Sequence, residues 1–455
     1  MATLVAPISG WGRYPVQSCE LERPERYADL NSNTASLIVR GQGRSYGDAA
    51  LNENGRVLLT ERVNRLLDFD AEQGILRAEA GVTLAEILDV IVPRGWFLPV
   101  TPGTKFVSLG GCVAADVHGK NHHHDGSFGA HVLGIELILA DGSSMVCSPS
   151  ENVELFWATV GGMGLTGIIG EVALRLIPIQ SAYVQVRHHA AGNFDQLFRL
   201  MQDSAIDDRY TVAWIDSMAG GARSGRGIVM CGHHAAPDEL PANSAQPFQV
   251  EQARARSIPC DFPPWVLNTL SISAFNAQYF SREGGKREPF LSGYDAYFYP
   301  LDGLAQWNRM YGKRGFVQYQ CVIPEATAYD GIGELLAALA GSRRPSFLAV
   351  LKRLGAQGRG LLSFPLAGYT LALDLPIRDD GLFALLNRLD EIVVQHGGRV
   401  YLAKDARLSA ESFRAMYPRH DEWLKIRNAI DPGNCFNSSM ARRLGMGRQG
   451  APCAP

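Results

Sequence analysis

The chain has 455 residues, of which 46% are hydrophobic and 20% charged, and its formal net charge is −3. That balance belongs to a globular protein long enough for two domains, and it excludes the strongly basic surface of a nucleic-acid binder, so no nucleic-acid partner is expected. No apolar run reaches the roughly 20 residues of a membrane-spanning helix.

Taken in chain order, "SLIVR" from Ser36, the loop "GQGRSYGDAALNENG" and "RVLLT" from Arg56 read as strand, glycine-rich turn and strand. "GILRAEAGVTLAEILDVIVPRGWFLPV" follows, with a strand, Thr83 as N-cap, an apolar-periodic helix and a short strand. "VLGIELILADGSSMVCS" is a hairpin turning at Asp141-Gly142, and "SENVELFWATVGGMGLTGIIGEVALRLIPI" gives a helix, a glycine-rich turn and a strand. Beyond about residue 180 the glycine density falls. "AYVQVRHH", "RYTVAWID", "GFVQYQCVIP" and "YTLALDLPI" alternate as strands, and helices are expected near 326–341 and 380–396. The last sixty residues, from "RVYLAKDARLS", return to compact helical texture. The fold class is therefore α+β. An N-terminal part (1–180) and a C-terminal segment (396–455) are expected to share one domain around a middle one (181–395).

The N-terminus "MATLVAPISGWGRYP" lacks the basic segment of a signal peptide. The cysteines (Cys19, Cys112, Cys147, Cys231, Cys260, Cys321, Cys435 and Cys453) are scattered without a C-x-x-C pair, as buried thiols of a cytoplasmic enzyme would be.

Three segments carry chemistry. Gly162-Met-Gly164-Leu-Thr-Gly167 fits G-x-G-x-x-G, but a helix precedes it and a strand follows, the reverse of a dinucleotide fingerprint. In "RGQGRSYGDAA", Gly41, Gly43 and Gly47 let backbone N–H groups turn inward as an anion nest; the alternative is an ordinary hairpin loop. "HGKNHHHDGSFG" gathers His118, His122, His123, His124 and Asp125. Adjacent histidines point in divergent directions and no second segment offers ligand spacing, so no metal site is expected; His122 to His124 read as a polar turn.

Together, "GQGRSYGD", "PGTKFVSLGGCVAADVHGKNHHHDGSFG" and "GGMGLTGIIG" resemble the FAD-binding domain of the vanillyl-alcohol-oxidase (PCMH-type) superfamily. Within it, the chain is most similar to the flavin subunits of decaprenylphosphoryl-β-D-ribose 2′-epimerases. That likeness continues through "FVQYQCVIP", "LSFP", "YLAKDARLSAESFRAMYPRHDEWLKIR" and "SMARRLGM". The resemblance implies a two-domain fold whose substrate domain is built on an antiparallel sheet. By the same resemblance, Gly41, Gln42, Gly43, Arg44, Ser45, Tyr46, Gly47 and Asp48 wrap the FAD pyrophosphate. Gly103, Ser108, Gly110, Gly111, Ala115, His118, Ile169 and Tyr401 line the rest of the cofactor, and Tyr46, Gln318, Gln320, Lys352 and Lys404 face the substrate. Many relatives bond the flavin covalently through a histidine where this chain has Arg44. A guanidinium cannot act as that nucleophile, so non-covalent FAD is expected.

The activity implied is oxidation of the ribose 2-hydroxyl of a lipid-linked pentose phosphate to the 2-keto sugar, with an NAD(P)H-dependent short-chain reductase completing conversion to the arabinose donor. A soluble sugar or alditol is the alternative substrate. Alcohol oxidation removes a hydride from carbon and a proton from oxygen. Lys404, with His118 beside it, is the expected catalytic group, as a desolvated base or as a fixed charge. Lys352 is the expected partner of the phosphodiester. The stretch from Ile258 to Pro300 mixes aromatic and aliphatic residues with a basic break from Arg282 to Arg287, as a lid would that meets the lipid tail or the inner membrane surface.

Overall fold

The computed structural model describes residues 3–30, 36–241, 246–250, 256–263, 265–342, 344 and 346–447. Its elements are mixed helices and largely antiparallel sheets, an α+β fold. A four-stranded sheet, in the order Leu4–Ser9, Val16–Glu22, Arg56–Leu59, Leu37–Arg40, carries the first glycine loop. Leu37–Arg40 and Arg56–Leu59 pair in parallel, so the loop between them is a crossover rather than a hairpin turn. A five-stranded antiparallel sheet follows, with Ile168–Arg175 at its centre between Ile75–Glu79 and Val132–Ile138.

Local signals explain several boundaries. Thr83 and Glu86 form a reciprocal capping box at the start of the helix Leu84–Ile91, which buries Leu84, Ile87, Leu88 and Ile91. Gly142, at φ 84°, turns the hairpin between Val132–Ile138 and Ser144–Cys147.

The largest element is an eight-stranded antiparallel sheet. Its order is Phe290–Gly293, Tyr183–Ala191, Gly227–His234, Tyr210–Ile215, Ala349–Leu354, Gly368–Pro376, Phe316–Pro324, Arg399–Val400. The central strands are buried on both faces. Helices Phe194–Asp207, Ala328–Ser342 and Gly381–Gln395 cover one face, and the last of these buries Leu382, Leu386, Leu389 and Val393. Each such leucine contributes on the order of 2 kcal/mol of apolar burial. The opposite face is left to a cavity.

The C-terminal segment returns to the first sheet. Phe436 bridges Leu37, whose N–H donates to Cys435 O at 2.7 Å, and Trp423 Nε1 donates to Ala158 O at 2.9 Å. Among the described residues no helix is long and apolar enough to cross a membrane. The described cysteines are free thiols; Cys260 is exposed and Cys435 half-buried, unlike the buried remainder, and Cys453 lies outside the described residues. The surface position of Cys260 follows from its place in an irregular loop ahead of the helix Thr269–Gly284.

Candidate active site

A single cavity of about 720 Å³ runs from the first glycine loop, past the second, and along the open face of the eight-stranded sheet. Gly41, Gln42, Gly43, Arg44, Ser45 and Tyr46 line it. Gly43 has φ 61°, and a Cβ there would lie 2.3 Å from the Arg40 guanidinium, so only glycine lets the loop fold inward at this point. Arg44 lays its guanidinium 4.0 Å over the Trp11 ring. Gly47 and Asp48 do not reach the cavity. Gly47 abuts the backbone of Asp405, and Asp48 is held by Arg443 at 2.6 Å, so both fix the loop from behind.

The second loop supplies Gly103, Ser108, Gly110, Gly111, Ala115 and His118, all on the cavity wall, with Ile169 from the neighbouring strand. Ser108 caps the short helix Leu109–Ala114 through the Gly111 N–H, and Gly110 N–H donates to Ala80 O at 2.8 Å, docking the turn against the five-stranded sheet. Tyr401 closes this side, its hydroxyl donating to Ala115 O at 2.9 Å. Met163, Gly164 and Gly167 also line the cavity, so the G-x-G-x-x-G turn joins the site in its reversed strand–helix order.

The sheet face provides the polar groups. Side chains alternate along a strand, so Gln318 and Gln320 share one face while Val317, Tyr319 and Cys321 face the other. Opposite them in register stand Asp374 and Ala372, and Thr370 pairs with Lys352 on the next strand. Gln320 Nε2 donates to Thr370 Oγ1 at 3.1 Å and meets His118 Nε2 at 2.9 Å. With Gln320 donating, His118 Nε2 accepts and the ring proton sits on Nδ1, which is buried without a partner among the described residues. Burial holds this imidazole well below its usual range, with Lys352, His122 and Lys404 adding to the effect, so it is neutral.

Lys404 lies 4.0 Å over the Tyr46 ring. Burial draws its ammonium down to about 7, Asp374 opposing and Lys352 assisting. Lys352, also buried, is brought to about 8 by desolvation. Two groups were passed over in the sequence. Lys120, two residues beyond His118, donates to Tyr297 O and lies 4.0 Å over the Tyr297 ring, lowered to about 7 by burial and Lys352. Asp374 sits behind Gln318, which donates to its Oδ1 at 2.6 Å, and the Tyr311 hydroxyl donates to its Oδ2 at 3.4 Å. Burial raises this carboxyl to about 7. Lys120 could have been noticed from its place beside His118; Asp374 has no local signal, because only strand pairing sets it against Gln318.

The histidine run is not a polar turn throughout. His122 is buried and its Nδ1 accepts from Gly355 N–H at 3.0 Å; His123 Nε2 meets Asp208 O at 3.1 Å; Asp125 takes a bidentate pair from Arg209, both at 2.9 Å. The run pins the second loop to the eight-stranded sheet, which is why His122 gives up exposure. Among the described residues no three His, Cys, Asp or Glu side chains are grouped as metal donors.

Comparison with known proteins bears on this geometry. A family profile described as an FAD binding domain matches residues 22–148, and one described as D-arabinono-1,4-lactone oxidase matches residues 382–444. Decaprenylphosphoryl-beta-D-ribose oxidase of Mycolicibacterium smegmatis is 36% identical over 453 residues, covering 97% of this chain and 98% of that one. The chain belongs to that family of FAD-dependent oxidases. An uncharacterised protein of Streptomyces coelicolor is 36% identical over 80% of this chain and 100% of its own. Human delta(24)-sterol reductase is 34% identical over 27% of this chain and 23% of its own.

The residues of this flavoprotein fit FAD. Gly103 lines the cavity, and a Cβ there would meet nothing within 4 Å, so the glycine leaves volume for a ligand rather than for packing. The unpartnered Nδ1 of His118 and the buried cations Lys120, Lys352 and Lys404 suit a ligand that brings acceptors and negative charge. Gly103→Val is therefore expected to fold normally yet lose flavin severalfold, read as the flavin-to-protein absorbance ratio after gel filtration; a parental ratio would show that Gly103 does not border the cofactor.

Proposed function

We propose that this enzyme oxidises the 2-hydroxyl of a polyprenylphosphoryl-β-D-ribose to the 2-keto sugar, the first half of epimerisation to an arabinose donor. The observation that carries this reading is the similarity, along nearly the full length of both chains, to an oxidase named for decaprenylphosphoryl ribose. That length includes the sheet face bearing Gln318, Gln320 and Lys352 as well as the glycine loops.

When bound, FAD supplies the hydride acceptor. The chain's own task is to orient the sugar and handle the hydroxyl proton. Gln320, fixed by Thr370 and His118, has both amide hydrogens engaged, which leaves its carbonyl oxygen to accept from a sugar hydroxyl. Asp374 fixes Gln318 in the same sense. Lys404, half-deprotonated near pH 7, takes the proton from the 2-hydroxyl or, when charged, stabilises the developing alkoxide. Lys352 supplies positive charge for the phosphodiester, and Lys120, brought to about 7 by burial and Lys352, joins it in its protonated form.

The division into an FAD-binding unit (1–180 with 396–455) and a substrate unit (181–395) is supported by the return of Phe436 and Arg443 to the first sheet and loop, with Arg399–Val400 crossing the boundary as the edge strand of the eight-stranded sheet. FAD is held without a covalent bond, because Arg44 stands where relatives carry a nucleophilic histidine. Denaturation followed by filtration is expected to release all yellow colour; colour retained with the polypeptide would refute this. A short-chain NAD(P)H-dependent reductase consumes the keto sugar. The enzyme works in the cytoplasm with peripheral contact at the inner membrane surface, where exposed Trp265 and Leu270 sit on the lid stretch.

Anaerobic flavin bleaching decides the substrate. Polyprenylphosphoryl ribose is expected to bleach the flavin at low concentration, with free ribose and alditols far weaker. The D-arabinono-1,4-lactone oxidase match over 382–444 makes a soluble sugar the second reading, and preferential bleaching by free sugar or alditol would establish it.

A further inference from the structure

The cavity changes character along the sheet. One cross-strand row runs Gln320, Ala372, Val350, Trp214 in register, passing from polar to apolar within a few strands. Farther on, Val212 pairs with Met230 and Val186 with Phe290, all on the cavity wall. The helix Thr269–Gly284 roofs this end, with Tyr279 4.8 Å from the Trp214 ring and Phe275 5.4 Å from Phe347. A sugar has no use for such a wall, and an enzyme of small polar substrates would leave a costly wet apolar surface here.

We infer that this apolar gallery holds the first isoprene units of the substrate's polyprenyl chain, the remainder emerging past the helix Thr269–Gly284. The inference rests on the lipid-linked substrate proposed above and goes beyond it by assigning where the tail lies and how much of it the protein grips. From Ala349–Leu354, which carries Lys352, to Phe290–Gly293 there are four strand-to-strand steps, about 19 Å at the roughly 4.8 Å spacing of paired strands. An isoprene unit adds four carbon–carbon bonds to the chain, roughly 5 Å when extended at ordinary bond lengths, so the gallery takes about four of them. Lys352 stands at the polar end of this run, where a phosphodiester joining sugar to tail would lie. Phe275, packed on Phe347, and Leu270 are exposed on the half of the helix nearer Lys352. The other end of the helix sets Lys286 4.5 Å over the Phe290 ring beside Glu283 and Arg282, so the gallery opens at Phe290–Gly293 through a charged rim.

The test is anaerobic flavin reduction by polyprenylphosphoryl ribose in a series from one isoprene unit to about ten, at fixed detergent. The apparent KM is expected to fall at least about tenfold up to about four units and then stay level within about twofold, since burial of apolar length stops where the gallery ends. Met230→Trp, which fills the middle of the gallery, is expected to cost the long substrates at least about tenfold more in kcat/KM than the single-isoprene one; flavin retention reports whether the variant has folded. A KM independent of length in the parent overturns the inference while leaving the substrate reading intact. A KM that keeps falling to the longest chain also overturns it, because the tail then binds on the outer surface. No bleaching by any member overturns the substrate reading itself.

Discussion

Lys404→Met is expected to slow anaerobic flavin reduction by roughly 10²- to 10⁴-fold, the contribution of a positioned acid–base group, while FAD stays bound. The cofactor is retained because the glycine loops are built on other elements and methionine keeps the volume beneath the Tyr46 ring. The pH dependence follows from the environment. Burial draws Lys404 down to about 7, so the neutral amine, the form able to accept a proton, increases as pH rises through that value. The rate of flavin reduction in the parent should therefore climb between about pH 6 and 8 and then level. Lys404→Arg separates the two roles: a guanidinium keeps the charge but accepts no proton. Loss of both rate and pH dependence in the arginine variant marks a base; near-parental reduction marks a fixed charge. Asp374→Asn adds a third reading. The carboxylate favours the charged amine, so its removal should move the rate midpoint to lower pH, with Gln318 still hydrogen-bonded by the asparagine. Reduction of Lys404→Met at the parental rate would remove Lys404 from the mechanism.

The difference between what could and could not be read in the sequence lies in how far apart the interacting residues are. Helix Leu84–Ile91 announces itself through Thr83, Glu86 and a 3.6-residue apolar period, all local. Gln318 and Gln320 interrupt an otherwise apolar strand at spacing two, which marks a shared face before any fold is known. The pairing of Leu37–Arg40 with Arg56–Leu59 was not legible, because a glycine-rich connection serves a hairpin and a crossover equally well. Asp374 belongs with Gln318 only through register between strands 56 residues apart in the chain. His122 looked solvent-facing beside two other histidines, yet its partner is the Gly355 N–H on a distant turn. The residues named by resemblance run along the cavity wall from Gly41 to Tyr46, while Gly47 and Asp48 of the same motif stand behind the loop, against Asp405 and Arg443. A motif records that a residue is needed and not on which side of the backbone it works.

That second role gives the other large effect. Arg443→Met should destabilise the protein by about 3–5 kcal/mol, the cost of breaking a buried ion pair by removing one partner. Arg443 lies between two buried carboxylates, at 2.6 Å from Asp48 and 2.9 Å from Asp405, and also donates to Leu408 O at 2.6 Å. Burial pushes the Asp405 carboxyl up, but Arg443, Arg407 and the N–H groups of Arg407 and Leu408 outweigh it and hold the group below its usual range. Asp405 thus contributes stability that is present above its unfolded value of about 3.9 and lost as pH falls through the lower folded one. Without Arg443, Asp48, which burial already raises, loses its cation, and Asp405 keeps only Arg407 and two N–H donors, so the folded-state affinity of both carboxylates for protons rises. The variant is then penalised most where both must ionise, at neutral pH. The gap from the parent should narrow as pH falls below about 5, as the variant's carboxyls take up protons. Denaturant midpoints at several pH values check this, and a gap that is constant with pH would mean that Arg443 acts by packing alone. Because Asp48 ends the segment whose earlier residues, Gly41 to Tyr46, line the cavity, the same variant should release FAD more readily than its stability loss alone accounts for. Arg443→Lys restores the charge without the fork that reaches both carboxylates, so it should recover only part of the stability. A full recovery would show that charge, and not the two-sided grip, is what holds the loop.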